Sequence, residues 1–368
     1  MIVAYDLRYA SDHFAGIGRH AYALLATLLE LPGDERYAVL WDPRERDTRH
    51  DLARIRTHPR VEWVERPWHF IHPWGAVQVG AWLRRLRPAV YLSPFSLRPI
   101  RSGRREIVTM HDVAGLRVAH TSSPLLRELF RLSQLHAARA RGIVTVSEFS
   151  RREILATLPV RPERVRAIHV GVPEPAGRLP PARRPAGLAA GRFALVVGDN
   201  RPRKNLAVLA RAWAQLGPRA GLALVGVGPV DERFPSLAQA SAVLGAQSVE
   251  QLGWRAPEEI AWLYEHAELL LFPSTYEGFG APILEAFAVG LPALLADIPV
   301  FREVAGEAAR FVDPHDPAAW ARAITDLAGD ETARARLRAA GLARAAQLTY
   351  RATAEATLAF VREVAAAP

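Results

Sequence analysis

Short apolar runs alternate with longer stretches of helical periodicity along this chain, and the pattern occurs twice. In the first half these strand-like runs cover residues 2–5, 38–41, 89–92, 106–110 and 142–146. In the second half they cover residues 193–197, 221–225, 269–272, 292–296 and 310–312. Strands that alternate with helices are typical of mostly parallel sheets with helices on both faces. The sequence therefore predicts an α/β fold with two doubly wound domains.

A segment rich in proline and glycine, residues 173–190, separates the two halves and suits neither a helix nor a central strand. The 368 residues of the chain also exceed what one core usually supports. We expect an N-terminal domain at 1–172, a linker at 173–190 and a C-terminal domain at 191–349. Open parallel sheets bind ligands beyond the carboxyl ends of their strands, so two facing sheets predict an interdomain cleft.

Composition narrows the class of protein. The chain has no cysteine, which excludes disulfides and thiolate metal sites. It also has no His-Glu-x-x-His and no Asp-x-Asp motif, so we expect no metal and no cofactor. No run of about 18 uncharged apolar residues is found, and the chain starts on a strand that meets an acid at once. We expect neither a signal peptide nor a membrane span, and a cytoplasmic location.

The net charge of +9 is concentrated in the first half of the chain. Residues 1–175 contain 27 arginines and 18 acidic residues, whereas residues 176–368 contain 20 basic and 20 acidic residues. A basic face can attract a nucleic acid, an anionic lipid surface or a phosphorylated acceptor. Nucleic-acid binding would explain only the charge, since no recognition motif accompanies it. We therefore expect no nucleic-acid partner.

Two carboxylates lie around a glycine-bracketed turn in the second half. The run from Ser274 to Ala286 places Glu277 before Gly278, Phe279 and Gly280, and Glu285 inside the helix that follows. Glycine lets a backbone approach a ligand closely, and a helix start presents N–H groups to an anion. This arrangement suits a phosphorylated sugar; the alternative is a helix cap with a solvated glutamate.

A pair of cations follows an earlier strand of the same half. Arg203 and Lys204 come after the run 193–197 and just before the helical pattern from Leu206 to Leu216. Lys204 is the only lysine, since the other 46 of the 47 lysine and arginine residues are arginine. A compact ammonium suits point-charge contact with a diphosphate; the alternative is a chance surface lysine.

Both segments resemble motifs of the retaining glycosyltransferases of family 4, also called group 1. These enzymes have the GT-B fold, with two Rossmann-like domains that face each other across a cleft. The resemblance implies that Arg203 and Lys204 hold the donor diphosphate, that Glu277 faces the donor sugar, and that Glu285 holds the ribose hydroxyls. It also implies a C-terminal helix, 350–368, that packs back on the first domain. Because metal-binding motifs are absent and Arg203 and Lys204 can neutralise the diphosphate, we expect a metal-independent reaction.

Further segments match the same family. His111 and Asp112 at a strand end resemble its His-Asp motif, in which the histidine contacts the reacting sugar, so His111 and Glu277 are the expected catalytic residues. Gly16 and Gly18 resemble a glycine-rich loop that lies against the donor sugar or the acceptor. A structural histidine and a plain helix-start turn are the alternatives. Gly253 and Trp254, with Arg255, follow the predicted strand Val249–Leu252 and are candidates for contact with the nucleotide base.

The predicted activity is transfer of a hexose from a nucleoside-diphosphate sugar to a glycan, lipid-linked or small-molecule acceptor. Mannose is favoured because the His-Asp segment and the Ser93-Pro94 strand end most resemble mannosyltransferases. A GT-B phosphorylase or epimerase is the alternative enzyme. The aromatic segment 61–74 fits buried packing, a sugar platform, or peripheral contact with the inner face of an anionic membrane.

Overall fold

The computed structural model describes residues 1–12, 15–69, 72–103, 105–117, 124–172, 182–217, 221–245 and 248–367. The chain divides into two compact units. The first unit is Met1–Gly171 together with Tyr350–Pro368, and the second unit is Val172–Thr349. Residues 173–181 of the expected linker lie outside the described residues, whereas residues 182–190 belong to the second unit. There the backbone N–H of Arg183 donates to the carbonyl of Glu258 at 3.0 Å, and Leu188 and Ala190 are buried.

The first unit is a parallel sheet with helices between its strands. Its strands in the described residues are β1 (Ile2–Asp6), β2 (Arg36–Trp41), β3 (Val61–Glu65), β4 (Val90–Ser93), β5 (Glu106–Thr109), β6 (Gly142–Thr145) and β7 (Val165–Ala167). Its first helices are α1 (Ala15–Glu30), α2 (Leu52–Arg56), α3 (Pro73–Leu86), α4 (Ala114–Arg117), α5 (Pro124–Ala137) and α6 (Glu148–Thr157). The strand order is β3-β2-β1-β4-β5-β6-β7, and neighbouring strands are parallel.

The second unit repeats this design. Its strands in the described residues are β8 (Phe193–Val197), β9 (Ala223–Val227), β10 (Val249–Gln251), β11 (Leu269–Phe272), β12 (Ala293–Ala296) and β13 (Ala309–Val312). Its helices are α7 (Leu206–Leu216), α8 (Leu237–Leu244), α9 (Pro257–His266), α10 (Ala281–Ala288), α11 (Pro299–Ala305), α12 (Pro317–Gly329) and α13 (Glu331–Gln347). The order β10-β9-β8-β11-β12-β13, again parallel, gives two doubly wound α/β units of the Rossmann-like type.

The last helix, α14 (Tyr350–Ala366), belongs to the first unit and packs on α1 and β4. Its apolar face, with Leu358 and Val361, is buried in the same cluster as Leu24 and Leu28 of α1. The Thr353 hydroxyl donates to the carbonyl of His169 at 2.7 Å. The end of the chain therefore completes the core of the half in which the chain begins.

Two strands of the first unit were not predicted as strands. β3 contains two glutamates among its five residues, and β7 has only three residues. Both lie at an edge of the sheet, where a strand has one neighbour and its apolar signal is weak. Among the described residues, no helix combines the length and apolar character needed to cross a membrane.

Each sheet has one place where the strand order reverses direction. In the second unit this place lies between β8 and β11, the strands that begin the two successive halves of its sheet. The loops that leave these two strands run to opposite sides, so a crevice opens at their carboxyl ends. The loop after β8 contains Arg203 and Lys204, and the loop after β11 contains Glu277.

Candidate active site

The two loops at the reversal point of the second unit are bonded to each other. The backbone N–H of Thr275 donates to the carbonyl of Arg203 at 2.8 Å. The side-chain amide of Asn205 donates to the carbonyls of Pro273 at 3.2 Å and Pro314 at 2.7 Å. Asn205 adopts a left-handed conformation, with φ of 54°, between the 3₁₀ turn Pro202–Lys204 and α7. These bonds fix where Arg203 and Lys204 stand relative to the second loop.

Arg203, Lys204 and Glu277 form one charged cluster. Arg203 Nη1 lies 2.8 Å from Glu277 Oε2, and Lys204 Nζ lies 2.7 Å from Glu277 Oε1. The side chain of Glu277 is only 11% exposed, and those of Arg203 and Lys204 are 21% and 12% exposed. The structure thus brings together three residues that belong to two separate motifs of the sequence.

The carboxylate of Glu277 is kept ionised by its neighbours. Burial alone would raise its pKa, but Lys204 and then Arg203 outweigh burial and lower the pKa below its ordinary value of 4.5. A buried anion between two cations is therefore present at neutral pH. The cluster thus contains two basic side chains and one carboxylate.

Lys204 occupies a narrow place in the cluster. Its ammonium lies 5.0 Å from the centre of the Phe272 ring, within the range of a cation–π contact. On another side is Gly198, with φ of 143°, where an added Cβ would lie 3.4 Å from Lys204 Cε and 3.5 Å from Nζ. Glycine at this position leaves room for the lysine side chain to lie across the end of β8.

Glu285 has a different partner from Glu277. It lies inside α10, as predicted, and its Oε2 accepts a hydrogen bond of 2.7 Å from the Tyr264 hydroxyl of α9. Gly280 caps α10 with φ of 99° and ψ of 53°, and Pro282 stands in the first turn. Only glycine adopts such a conformation at little cost. The buried turn of Gly278 and Phe279 therefore separates the two carboxylates.

The loop after β10 contributes the third part of the second unit's carboxyl edge. Gly253 has φ of 69°, and its carbonyl accepts from the backbone N–H of Gly228 at 2.9 Å. Trp254 is 67% exposed. The guanidinium of Arg255 bonds the carbonyl of Trp254 at 2.9 Å. An exposed indole on a loop tied to the strand ends can stack on a planar ligand.

In the first unit, His111 follows β5 and is half-buried. Its Nε2 lies 3.0 Å from the carbonyl oxygen of Pro94, which can only accept, so Nε2 carries the proton and Nδ1 is an acceptor. Burial lowers the pKa of His111, although the Pro94 carbonyl and Asp112 partly oppose it. Asp112 accepts from the backbone N–H of Ala114 at 2.9 Å and so caps the segment that follows.

His20 of α1 is a neighbour of His111 that the sequence pattern did not single out. The two imidazole rings meet edge to face, with centroids 5.4 Å apart. His20 is 5% exposed, and neither ring nitrogen has a hydrogen-bond partner in the described part of the chain. Burial, together with His111, lowers its pKa to about 3, so this histidine is neutral at physiological pH.

Gly16 and Gly18 both lie in the first turns of α1. A Cβ at Gly18 would be 2.8 Å from the carbonyl oxygen of Tyr9, whereas one at Gly16 would meet nothing within 4 Å. Gly18 therefore permits close packing of α1 on the loop after β1, and Gly16 is exposed.

Part of the aromatic segment 61–74 packs against the core, while its residues 70 and 71 lie outside the described residues. Trp68 and Trp82 pack against a buried cluster that includes Val79 and Leu83, while Trp74 is 63% exposed. Trp63 in β3 is partly buried and donates to Glu65 at 3.0 Å. Among the described residues, no group of three or more histidine, aspartate or glutamate side chains is placed to hold a metal ion.

The positioning residues were the ones that sequence analysis missed. Tyr264 bonds Glu285 from 21 residues away, and Asn205 bonds Pro273 of the second loop from 68 residues away. His20 contacts His111 from a different element of the first unit. A local signal existed only for Asn205, which directly follows the cation pair, and for His20, which stands one helical turn after Gly16.

Two family models match most of the chain. Residues 184–344 match the family model of the group 1 glycosyl transferases, and residues 14–174 match that of glycosyltransferase family 4. The O-antigen chain mannosyltransferase B of Escherichia coli is 30% identical over 81% of this chain and 79% of its own. The D-inositol 3-phosphate glycosyltransferase of Thermobispora bispora is 34% identical over 77% of this chain and 67% of its own.

Solved structures show the same fold. Anabaena HepE in complex with UDP-glucose superposes with a TM-score of 0.73 at 17% identity, covering 99% of this chain and all of that one. WaaG, a glycosyltransferase involved in lipopolysaccharide biosynthesis, superposes with a TM-score of 0.71 at 16% identity, covering 98% and 99% of the two chains. With its GT-B fold, its two matched domains and its relatives across most of its length, this chain belongs to the group 1, or family 4, glycosyltransferases.

Proposed function

We propose that this protein is a retaining hexosyltransferase that moves a sugar, mannose in the first instance, from a nucleoside diphosphate to a glycan or lipid-linked acceptor. The observation that carries the proposal is the cluster of Arg203 and Lys204 around Glu277 at the reversal point of the second sheet. Cations at a strand-to-helix junction suit a diphosphate, and the neighbouring carboxylate suits sugar hydroxyls.

In this proposal, other residues of the second unit bind different parts of the donor. Glu285, held by Tyr264 at 2.7 Å, offers a carboxylate to the two ribose hydroxyls. Trp254 offers an exposed indole to the base. The turn from Gly278 to Gly280 lets the backbone come close to the donor, because glycine has no side chain to obstruct it.

Catalysis in this proposal is electrostatic. As the bond from the anomeric carbon to the diphosphate oxygen breaks, positive charge develops on the sugar and negative charge on the diphosphate. Arg203 and Lys204 stabilise the leaving diphosphate, and the ionised Glu277 stabilises the sugar. The acceptor oxygen forms the new bond on the same face, and its proton passes to the departing phosphate oxygen. Glu277 therefore needs no covalent intermediate.

His111 contributes contact with the reacting sugar in this proposal. Its Nε2 proton is engaged by the Pro94 carbonyl, so its Nδ1 presents a lone pair that can accept from a sugar hydroxyl. Because burial lowers the pKa of His111, this acceptor remains available across neutral pH.

The choice of mannose and of the acceptor rests on the relatives. The relative from Escherichia coli is named as an O-antigen chain mannosyltransferase, and Anabaena HepE was crystallised with UDP-glucose. We favour GDP-mannose as donor and a growing glycan as acceptor. Metal independence is part of the proposal, in which Arg203 and Lys204 neutralise the charge that develops on the leaving diphosphate.

The direct test is thermal stability of the purified protein with UDP, GDP, ADP and CMP, each with and without EDTA. A ligand at 100 times its dissociation constant adds about 2.7 kcal/mol, which gives a shift of a few degrees in a chain of this size. We expect one nucleoside diphosphate, GDP in the first instance, to give a shift that persists in EDTA. No shift with any nucleotide would contradict the proposed donor site. A shift that needs magnesium or manganese would contradict the metal-free mechanism.

Stereochemistry is tested separately, by proton NMR of the glycoside or hydrolysis product formed from an α-linked donor. Retention predicts that the α anomer appears first. Initial formation of the β anomer would contradict the retaining mechanism and leave the donor site intact.

Membrane contact stays a prediction. The excess of arginine in the first half and the exposed Trp74 are the features that suggest it. Co-sedimentation with vesicles containing phosphatidylglycerol, compared with neutral vesicles, tests it; equal recovery in both supernatants would contradict it.

A further inference from the structure

The two cations of the site already have an anionic partner within the protein. Glu277 offers one carboxylate oxygen to Arg203 at 2.8 Å and the other to Lys204 at 2.7 Å. We infer that Glu277 competes with the nucleoside diphosphate for Arg203 and Lys204, and reclaims both cations when the nucleoside diphosphate leaves. This inference rests on the proposed function, and it adds a role in product release to the contact with the donor sugar.

The geometry makes competition unavoidable. A phosphate oxygen that bonds Arg203 and Lys204 must come within a few ångström of the Glu277 carboxylate, which touches both. Lys204 has little freedom to turn away, since the Phe272 ring and Gly198 occupy two of its sides. Like charges at such distances in buried surroundings repel strongly, because little water screens them.

The repulsion acts more strongly on the product than on the donor. The diphosphate of a nucleotide sugar carries two negative charges, and sugar transfer frees a terminal phosphate that ionises again with a pKa of about 6. At neutral pH the product is therefore more negative than the donor. The donor also has a sugar whose hydroxyls can bond Glu277. The same carboxylate thus favours entry of the donor and exit of the product.

The test compares binding of product and donor by titration calorimetry in EDTA at pH 7.5. The ligands are UDP and GDP, and the intact donors UDP-glucose and GDP-mannose. Glu277→Gln removes the charge and keeps the shape, whereas Glu277→Asp keeps the charge. Glu268→Gln is the matched control: Glu268 pairs with Arg192 at 2.5 Å, at the amino end of β11, so its loss changes the net charge equally at the far end of the strand.

We expect Glu277→Gln to bind the free nucleoside diphosphate at least about tenfold more tightly than the parent, because a close like charge is removed. Its affinity for the intact donor should gain less or fall. Glu277→Asp and Glu268→Gln should bind the nucleoside diphosphate within about threefold of the parent, since the local charge is unchanged in both. Thermal unfolding of each variant confirms that it is folded.

Three results would overturn the inference. Unchanged or weaker binding of nucleoside diphosphate by Glu277→Gln would show that the carboxylate does not compete. An equal gain in Glu268→Gln would assign the effect to net charge. Equal gains for donor and product would remove the role in release. Failure of the parent and all variants to bind any nucleotide would be a different outcome, since it would overturn the donor site itself.

Discussion

Single residues of the site are held by partners that lie far away in the sequence. Lys204 and Arg203 keep Glu277 ionised although it is buried, and Tyr264 holds Glu285 from a neighbouring helix. The charged members were predictable, because a lone lysine beside an arginine and two glutamates around glycines form local patterns. Tyr264 and His20 were not, because no local pattern shows which tyrosine or histidine the fold will place against a candidate residue.

Tyr264→Phe tests whether that hydroxyl positions Glu285. The change removes the hydrogen bond of 2.7 Å to Glu285 and keeps the buried ring. We expect nucleotide binding to weaken about tenfold, as for loss of a hydrogen bond to a charged group. Tyr22→Phe is the control, because the Tyr22 hydroxyl bonds a carbonyl of the first unit. Equal affinity of Tyr264→Phe and the parent, measured by calorimetry, would show that Glu285 needs no such support.

His20→Phe tests the neutral buried histidine. Burial lowers the pKa of His20 to about 3, so between pH 6.5 and 3 the unfolded chain binds a proton that the folded chain does not. Stability is therefore lost as the pH falls below 6.5, by up to roughly 1.4 kcal/mol per pH unit. Phenylalanine cannot bind a proton, so the variant lacks this contribution to the pH dependence of stability. Urea unfolding at pH 7.5 and 5 should show the parent losing more stability than His20→Phe; parallel losses would contradict the burial of a neutral ring.

At the scale of elements, the site depends on where strands end and the following helices begin. The central strands were predicted within about two residues, because buried runs such as Leu269–Phe272 are continuous and apolar. The edge strands β3 and β7 were missed for the opposite reason. The connection from β11 to α10 depends on Gly280, whose left-handed conformation allows α10 to begin directly after the turn that contains Glu277.

Gly280→Ala should disturb this connection between β11 and α10. The new Cβ would lie 3.0 Å from both Ile283 Cδ1 and Phe301 Cε1. The left-handed backbone conformation at this position also costs any residue with a Cβ roughly 1–2 kcal/mol of stability. We expect a stability loss of about 2 kcal/mol and weaker nucleotide binding. Gly329→Ala is the matched control, since a Cβ there meets nothing within 4 Å at the end of α12. Equal melting temperatures for the two variants would contradict the strain at Gly280.

At the scale of the whole molecule, the chain consists of two similar units, and its last helix returns to the first. The repeated order of strands was predictable, since both halves show the same alternation. The buried face of α14 was predicted from the family resemblance, and in the structure it joins the first core through residues such as Phe360 and Val361. How well that core forms therefore depends on residues at the opposite end of the sequence.

Phe360→Ala tests this dependence. Phe360 is 5% exposed and lies over Gly142, where an added Cβ would be 2.8 Å from its ring. Loss of a buried phenylalanine costs about 3–5 kcal/mol. We expect a lower melting temperature, with the nucleotide-dependent shift of the second unit retained. Leu342→Ala, at a side chain that is 45% exposed, should change neither quantity. An unchanged melting temperature for Phe360→Ala would contradict the packing of α14.

The central claim is that Arg203 and Lys204 bind the diphosphate of a nucleotide donor without a metal. Titration calorimetry in EDTA tests it, with the nucleoside diphosphate that stabilises the parent and with two variants of equal charge change, Lys204→Ala and Arg211→Ala. Arg211 is exposed on α7. The structure predicts that Arg211→Ala binds like the parent and that Lys204→Ala binds at least about tenfold more weakly. Equal binding by Lys204→Ala and the parent would contradict the claim.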